Sequence, residues 1–243
     1  MTESKRRHAI VTGANGEIGR AIAIALAKDG FALHLTDLST TGLDDFAATL
    51  GTDVACYAHD VADAEQTDKV VSEIALASGG IDVIIACAGL YQDLPLRSLT
   101  RDAWSKSLAV NLDGVFLTIR AALPHLTENS AIVTLTSVAG HRGSVDHTPY
   151  AAAKGGVLTL TRSLAQELAP RTRVNAVSPG LIDTRMMEQM DPERLRTSVN
   201  ALPLKRLGKT AEIASVVAFL CGDGAAYITG ETIHVNGGLY ISG

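Results

Sequence analysis

The sequence predicts a doubly wound α/β fold, in which helices cover both faces of one parallel sheet. Two observations support this prediction. Short runs of apolar and β-branched residues alternate with longer stretches of helical periodicity along the whole chain. The short runs are continuously apolar, which is typical of strands buried on both faces. Right-handed crossovers between such strands build a single wound sheet.

Seven apolar segments are predicted as strands and five longer segments as helices. The strands cover residues 8–12, 31–37, 53–59, 81–89, 131–137, 173–180 and 232–238. The helices cover residues 17–29, 63–78, 101–123, 150–169 and 210–221. In the first helix Ile18, Ile22 and Leu26 recur at helical spacing, and Gly30 follows its end.

No linker, repeat or low-complexity segment divides the 243 residues, so we predict one domain over residues 1–243. A chain of this length can bury a substantial core. Residues 184–208 form the one weakly patterned insertion. We expect this insertion to be a small lid over the substrate.

Composition and charge exclude several classes of protein. The hydrophobic fraction of 47% with 19% charged residues argues against disorder. The net charge of −5 leaves no electrostatic basis for nucleic-acid binding, and the apolar runs are too short to cross a bilayer. Cys56, Cys87 and Cys221 form no CxxC pair and fit buried thiols in a reducing compartment. We therefore expect a cytoplasmic protein with no metal site and no membrane or nucleic-acid partner.

The segment TGANGEIG, residues 12–19, lies between the first strand and the first helix. Glycines there allow a tight bend, and the helix N-terminus offers unpaired N–H groups to a phosphate, although similar turns also occur as plain connections. Glu17 is expected to complement the helix dipole, to serve in capping and to point away from a pyrophosphate. Gly16 is then the glycine that makes room. The predicted cofactor contacts are Gly13, Asn15, Gly16, Glu17, Ile18 and Gly19.

Asp37 ends the second predicted strand, 18 residues after Gly19, close to the ~20-residue offset of a ribose-binding acid. Its carboxylate would accept bonds from both hydroxyls of an adenosine ribose and would repel a 2′-phosphate. No basic residue follows it, because the next residues are Leu38 and Ser39. These features favour NAD over NADP. The alternative is that Asp37 only caps the loop between strand and helix and binds no cofactor.

Tyr150 and Lys154 are four residues apart, which places them on one face of a helix. A nearby cation lowers the pKa of a phenol, which is ~10 when unperturbed, and so prepares it for proton transfer. Ser137 ends the AIVTLTS strand, at the edge where a doubly wound sheet binds its ligand. It is expected to hold the substrate oxygen, and Asn111 to anchor a water that relays protons from Lys154.

Matching segments run through nearly the whole chain: TGANGEIG, Asp60-Val61, ACAG at 86–89, Asn111, Ser137, YAAAK, RVNAVSPG and ITGETIHVNGG. In order and spacing they resemble the short-chain dehydrogenase/reductase family in its compact, single-domain, Rossmann-type form. The resemblance implies a catalytic triad of Ser137, Tyr150 and Lys154, with Asn111 as the fourth member. It also implies cofactor contacts at Tyr150 and Lys154 and at Asp60, Val61, Ala88, Gly89, Pro179, Gly180, Ile182 and Thr184.

The implied reaction is hydride exchange between nicotinamide C4 and a carbonyl carbon. Tyr150 would protonate the alkoxide in reduction and take the alcohol proton in oxidation. The family also implies a homotetramer, with interfaces at residues 101–123, at residues 150–169 and in the C-terminal segment.

The chain departs from the family pattern at two places. Ala86-Cys87 replaces an Asn-Asn pair, so an asparagine that braces the sheet is absent, and Cys87 is interpreted as a small buried filler rather than a nucleophile. Glu17 replaces the middle glycine of the turn, and Gly16 restores the TGxxGxxG spacing of the family's extended branch.

The C-terminal motifs are most similar to those of 3-oxoacyl-acyl-carrier-protein reductases, which mostly prefer NADPH and use basic residues to dock an acidic carrier. Asp37, and Glu128 in the predicted loop LTENS, do not fit that pattern. We therefore predict an NAD(H)-preferring enzyme for a secondary alcohol or ketone. A carrier-protein or CoA-linked 3-oxoacyl reductase, and a catalytically silent NAD sensor or scaffold, remain alternatives.

Several side chains near the predicted cleft allow two interpretations. Basic residues could attract an anionic substrate or form solvated surface: Arg142, Arg185, Arg194, Arg196, Lys205 and Arg206. Met186, Met187 and Met190 are interpreted as packing for a short lid helix. His141 and His147 are given no metal and little part in substrate contact.

Overall fold

The structure, a computed structural model, describes residues 6–51, 53–188 and 191–242. One sheet contains seven strands: β1 (His8–Thr12), β2 (Ala32–Asp37), β3 (Val54–Ala58), β4 (Ile81–Ala86), β5 (Leu126–Leu135), β6 (Thr172–Pro179) and β7 (Thr232–Val235). The order across the sheet is β3-β2-β1-β4-β5-β6-β7, and every neighbouring pair is parallel. The predicted doubly wound, single-domain fold is confirmed.

Within the described residues ten α-helices accompany the sheet: α1 (Glu17–Lys28), α2 (Leu43–Ala48), α3 (Ala64–Ser78), α4 (Arg101–Leu108), α5 (Gly114–Ala122), α6 (Val138–Arg142), α7 (Thr148–Leu168), α8 (Arg185–Glu188), α9 (Pro192–Ala201) and α10 (Thr210–Cys221). No described helix is long and apolar enough to cross a membrane. The described residues also contain no group of three or more His, Cys, Asp or Glu side chains placed to hold a metal.

The two faces of the sheet bury separate apolar clusters. Val83 and Ile85 of β4 pack with α1, α2 and α10, whereas Ile84 packs with α3, α5 and α7. All three side chains are fully buried. Because successive side chains of a strand point to opposite faces, a strand covered on both sides must be apolar at every position. This explains the continuous apolar runs of the sequence.

The direction of winding changes between β1 and β4, which lie side by side although two strands separate them in sequence. Ligands of doubly wound sheets bind at the carboxyl edge of such a switch point. Thr12, the last residue of β1, joins the two strand ends there, since its Oγ1 accepts hydrogen bonds from Cys87 N and Ala88 N, each at 3.1 Å. Thr12 thus braces this edge of the sheet.

The predicted helix 101–123 is interrupted, because a π-helical turn, Ala109–Asp113, separates α4 from α5. A single π turn changes the hydrogen-bond spacing from four residues to five, which apolar periodicity does not reveal.

The predicted loop LTENS is also different. It belongs to β5, where Leu126 pairs with Ile81 across a register irregularity and Asn129 has φ +61°. Its polar, exposed residues hide the strand pattern. The short helices α2, α6 and α9 were likewise not predicted, whereas α8 lies within the segment where a short lid helix was expected.

Candidate active site

Ser137, Tyr150 and Lys154 meet at the carboxyl end of β5. Ser137 follows the strand and caps α6, where its Oγ accepts from Ala139 N at 3.1 Å. Tyr150 and Lys154 lie in the first turns of α7, and Ser137 is hydrogen-bonded to Tyr150. The buried Lys154 Nζ donates to the Leu135 carbonyl at 2.7 Å and lies 5.8 Å from the centroid of the Tyr150 ring. The fold therefore brings the three predicted catalytic side chains together.

Burial controls the protonation of both titratable groups in this cluster. It raises the pKa of Tyr150 to about 12, although the hydrogen bond with Ser137 acts in the opposite direction. It lowers the pKa of Lys154 to about 8. The pKa of Tyr150 is nevertheless raised overall, because Lys154 bonds a backbone carbonyl and desolvation of the phenolate outweighs the expected effect of the cation. At neutral pH the phenol is protonated and suited to act as an acid.

Asn111 occupies the π turn and is fully buried. Its Nδ2 donates to Leu90 O at 2.8 Å and to Ser107 O at 2.9 Å, while its Oδ1 accepts from Leu90 N at 3.0 Å. One bond of the Asn111 amide nitrogen thus holds the segment after β4, and the other bonds the preceding helix α4. If Asn111 anchors a proton-relay water, we expect its backbone carbonyl to do so. A β-carbon at Gly89 would lie 3.2 Å from Asn111 Oδ1 and 3.8 Å from Lys154 Nζ.

Two glycines of the turn are required by the protein itself. Gly13 has φ +64°, and a β-carbon there would lie 2.6 Å from Ala88 Cα. A β-carbon at Gly19 would lie 2.3 Å from the Gly13 carbonyl oxygen. Gly16 is different, because its β-carbon would meet only that oxygen, at the ordinary distance of 3.4 Å. Packing does not explain this glycine, whereas a ligand in front of the α1 N-terminus would.

Glu17 is the first residue of α1, as predicted, but its predicted capping role is wrong. The N-cap Gly16 receives no side-chain cap, and the Glu17 carboxylate reaches Arg185 at the start of α8 instead. Its Oε2 accepts from Arg185 N at 2.9 Å and lies 3.8 Å from Arg185 Nε. The carboxylate still complements the dipole of α1. This contact joins the glycine turn to the 184–208 segment.

Asp37 lies beside the turn at the end of β2. Its Oδ2 accepts from Asn15 N at 2.9 Å, and its Oδ1 accepts from Leu38 N at 2.8 Å. The sequence analysis did not predict a role for Arg20, although this residue directly follows Gly19. It donates to the Asn15 carbonyl oxygen at 3.2 Å, to Asn15 Oδ1 at 2.6 Å and to Gly42 O at 2.9 Å. The guanidinium therefore ties the turn to the loop after β2.

The other predicted cofactor residues line the same edge of the sheet. Asp60 Oδ1 accepts from Ala62 N at 2.9 Å, and the buried Val61 lies against Gly114, where a β-carbon would be 2.7 Å from Val61 Cγ2. Beyond β6, Gly180 approaches Asn236 closely. Ile182 forms a bridge with Gly208, and Thr184 Oγ1 donates to Ile182 O at 3.2 Å.

Four of the other side chains singled out in the sequence form ion pairs or pack in the interior. Arg185, Arg196 and Arg206 form ion pairs with Glu17, Glu193 and Glu212. Met187 is buried, as predicted for packing, whereas Met190 and the side chain of Met186 lie outside the described residues.

The two histidines and Cys87 can also be placed. His141 stacks on Tyr240, with ring centroids 4.7 Å apart. His147 instead stacks on Tyr91, next to Tyr150, and sequence reasoning missed Tyr91 altogether. Burial raises the pKa of the Cys87 thiol to about 11, which agrees with a filler and not a nucleophile.

The chemistry of this edge fits a dinucleotide. The N-terminus of α1, at Gly16, offers backbone N–H groups to a phosphate. The Asp37 carboxylate lies next to this turn, because it bonds Asn15, which is 22 residues away in sequence. The Ser137–Tyr150–Lys154 cluster lies at the carboxyl end of β5, on the other side of β4.

The family profile and two relatives that match this chain are all described as reductases. A family profile described as enoyl-(acyl carrier protein) reductase matches residues 13–240. A 3-oxoacyl-[acyl-carrier-protein] reductase of Thermotoga maritima is 37% identical over 238 residues, covering 96% of this chain and 97% of that protein. The reductase of the same description from Vibrio cholerae is 38% identical over 236 residues, with the same coverage of 96% and 97%.

Solved structures extend the comparison. A Brucella melitensis protein described as a short-chain dehydrogenase/reductase, glucose/ribitol dehydrogenase, is 46% identical, with a TM-score of 0.95 and 99% coverage of both chains. A putative short-chain alcohol dehydrogenase from Sinorhizobium meliloti is 35% identical, with a TM-score of 0.92 and 96% coverage of both chains.

Proposed function

The chain belongs to the short-chain dehydrogenase/reductase family, and on that premise we propose that this oxidoreductase exchanges hydride between NAD(H) and a secondary alcohol or ketone. The observation that carries the proposal is the assembly of Ser137, Tyr150 and Lys154 at one point of the sheet edge. A protein that only sensed or bound a dinucleotide would need neither the phenol nor its lysine.

A bound nicotinamide dinucleotide supplies the hydride acceptor or donor. The chain's own residues bind it, orient the substrate and move the proton. The N–H groups at the start of α1 would hold the phosphates, and Asp37 would accept bonds from the adenosine ribose. Ser137 would hold the substrate oxygen beside Tyr150, which donates its phenolic proton as the alkoxide develops in reduction. The nearby Lys154 ammonium would stabilise the phenolate that remains.

Asp37 supports NAD over NADP, because its carboxylate repels a 2′-phosphate. Arg20 is the nearby cation that could compensate, but three hydrogen bonds tie it to Asn15 and Gly42. We expect Asp37→Ala to weaken NADH binding about tenfold and to narrow the preference over NADPH, since hydrogen bonds to a charged group are lost. Fluorescence titration with both dinucleotides measures this. An unchanged preference would mean that other residues read the ribose.

Tyr150→Phe tests the reaction directly, because it removes the proton donor and keeps the ring. We expect kcat to fall ~10²- to 10⁴-fold with NADH affinity largely unchanged. The assay follows NADH with a panel of ketones, polyols, hydroxy acids and sugars. Retained turnover in this variant would contradict the assignment of Tyr150.

A second candidate is a carrier-protein or CoA-linked 3-oxoacyl reductase. The Thermotoga maritima and Vibrio cholerae relatives carry that description, which favours it. Glu128 argues against it, because this acid lies on the surface, paired with Arg171. Acetoacetyl-CoA assayed with NADH and with NADPH separates the two. Rapid turnover with NADPH alone would favour the second candidate.

The panel includes polyols and sugar alcohols because the Brucella melitensis relative is described as a glucose/ribitol dehydrogenase.

A silent NAD sensor or scaffold is the candidate of another class. NAD binding without turnover of any compound in the panel would support it. A homotetramer and a cytoplasmic location stay predictions from the sequence.

A further inference from the structure

Tyr91 lies in the segment that follows β4, and its ring fills the space between two other aromatic side chains. On one side it stacks on the His147 imidazole, with ring centroids 4.2 Å apart and planes inclined by 19°. The Tyr150 ring stands nearly perpendicular to it, with centroids 4.9 Å apart and an angle of 88°. Tyr91 therefore packs directly on the side chain that carries the proposed proton transfer.

His147 fixes the position of Tyr91 because both of its ring nitrogens are engaged. Nε2 lies 2.6 Å from Asp93 Oδ1, and Nδ1 lies 3.0 Å from Ser144 Oγ. The Ser144 hydroxyl is also hydrogen-bonded to Tyr91. His147 is buried, whereas the Asp93 side chain is 83% exposed, so the chain of contacts runs from solvent inward to Tyr150.

The same contacts hold the segment after β4 next to the segment before α7. Leu94 N adds a backbone bond to Asp146 O at 2.6 Å. The polar atoms of His147, Ser144 and Tyr91 bond one another and Asp93. The contact of this group with the residue proposed to transfer the proton is the packing of Tyr91 on Tyr150.

We propose that Tyr91 is a positioning residue, which the His147–Asp93 contact holds against Tyr150 so that the phenol keeps its orientation and is shielded from water. The inference rests on the proposed function, because it concerns proton transfer by Tyr150. Aromatic pairs in perpendicular geometry are stabilising beyond their buried area. A displacement of a reacting group by about 1 Å costs ~10²-fold in rate.

The kinetic test compares Tyr91→Ala, Tyr91→Phe and Tyr227→Ala, which removes a fully exposed tyrosine as the control. Ethyl acetoacetate with NADH probes reduction, and ethyl 3-hydroxybutyrate with NAD probes oxidation. We expect Tyr91→Ala to lower kcat ~10- to 100-fold with the KM for NADH unchanged. Tyr91→Phe keeps the ring, and we expect its kcat to stay within about threefold of the unmodified protein. Equal kcat values for Tyr91→Ala and Tyr227→Ala would overturn the inference.

A pH profile separates positioning from a general loss of structure. The groups that face Tyr150 are Ser137, Tyr91, Cys87 and Lys154. Burial raises the pKa of Tyr150, so admitting water in Tyr91→Ala should lower it and move the rise of oxidation rate to lower pH. Tyr91→Phe keeps the shielding ring and removes only the smaller coulombic effect of the Tyr91 hydroxyl, so its profile should move less than that of Tyr91→Ala. A profile that does not move in Tyr91→Ala would contradict the shielding.

Crystal structures of Tyr91→Ala and Tyr91→Phe give a readout that needs no substrate. We expect Tyr150 to be displaced, or to occupy two positions, in the first variant and to stay in place in the second. An unmoved Tyr150 ring in Tyr91→Ala would overturn the inference. If Tyr91→Ala does not fold, Tyr91→Leu takes its place with the same expectations.

Tyr150→Phe, assayed in the same series, separates this inference from the proposed function. If it abolishes turnover while Tyr91→Ala leaves kcat and the pH profile unchanged, only the role of Tyr91 is wrong. If Tyr150→Phe retains turnover, the proposed function itself is wrong.

Discussion

At the scale of single residues, burial shifts the pKa values of Tyr150 and Lys154 and so controls their protonation. The phenol has a pKa of about 12 and the ammonium a pKa of about 8, both shifted by desolvation of the charged form. Near neutral pH the phenol therefore has a proton to donate, but it is a poor base.

The pH dependence of the two directions should differ for this reason. Reduction needs Tyr150 protonated, which holds at every pH well below 12, whereas oxidation needs it to accept a proton and so accelerates as pH rises. We expect the optimum of oxidation to be more alkaline than that of reduction. Initial rates in both directions between pH 6 and pH 10, approximately the range between the histidine and tyrosine pKa values, measure this. Coincident optima would contradict it.

At the scale of secondary-structure elements, the cleft is framed by contacts between α1, α8 and the strand ends. Glu17 at the first residue of α1 bonds the backbone of Arg185 at the first residue of α8. Thr12 holds the end of β1 to the segment after β4. The 184–208 segment is thus attached to the same turn that is proposed to bind the cofactor phosphates.

Glu17→Ala should release the start of α8 while leaving the sheet intact. We expect the Arg185 amide to exchange its hydrogen about tenfold faster, because a charge-assisted hydrogen bond is lost. Hydrogen exchange measured by mass spectrometry reports it. The matched control is Glu193→Ala, which removes an exposed acid that pairs within α9, with Arg196. Equal exchange of the 184–188 peptide in both variants would show that Glu17 does not hold this segment.

At the scale of the whole molecule, stability depends on apolar burial on both faces of the sheet and on histidines that are buried in the neutral form. His34, on β2, is 7% exposed, with His8 Nδ1 3.2 Å from its Nε2 and the Tyr57 hydroxyl 3.4 Å from its Nδ1. Burial, followed by the neighbouring His8, lowers the pKa of His34 to about 4.

Acid should therefore destabilise the fold. As the pH falls, the unfolded chain protonates His34 at pH ~6.5, whereas the folded protein protonates it only near pH 4. The stability that the neutral, buried His34 contributes is therefore lost as the pH falls from ~6.5 towards 4. We expect the urea midpoint to decrease between pH 7 and pH 5, a range that spans the unfolded histidine pKa of ~6.5. The decrease should be smaller in His34→Gln, which does not titrate. The same decrease in both proteins would mean that other groups are responsible.

Much of the fold was accessible from the sequence because its signals are local. Strands β1, β2 and β6 and helices α1, α3, α7 and α10 were predicted to within about two residues, a typical boundary error. The candidate catalytic cluster that the structure brings together was also singled out, because the i, i+4 spacing of Tyr150 and Lys154 and a serine at a strand end are visible in one dimension. The π turn at Asn111 and the start of β5 were not, because exposed polar residues and a change of helical spacing leave no apolar pattern.

The sequence by itself determined the wound α/β architecture and identified the side chains proposed to be catalytic, since apolar periodicity and short motif spacings specify them. Only the tertiary structure decided which distant groups meet there. His147 and Asp93 are 54 residues apart, and Glu17 and Arg185 are 168 apart. Such contacts arise because the crossovers bring the carboxyl ends of separate strands to one edge. Burial at that edge, which no single segment reports, then sets the protonation of Tyr150 and Lys154.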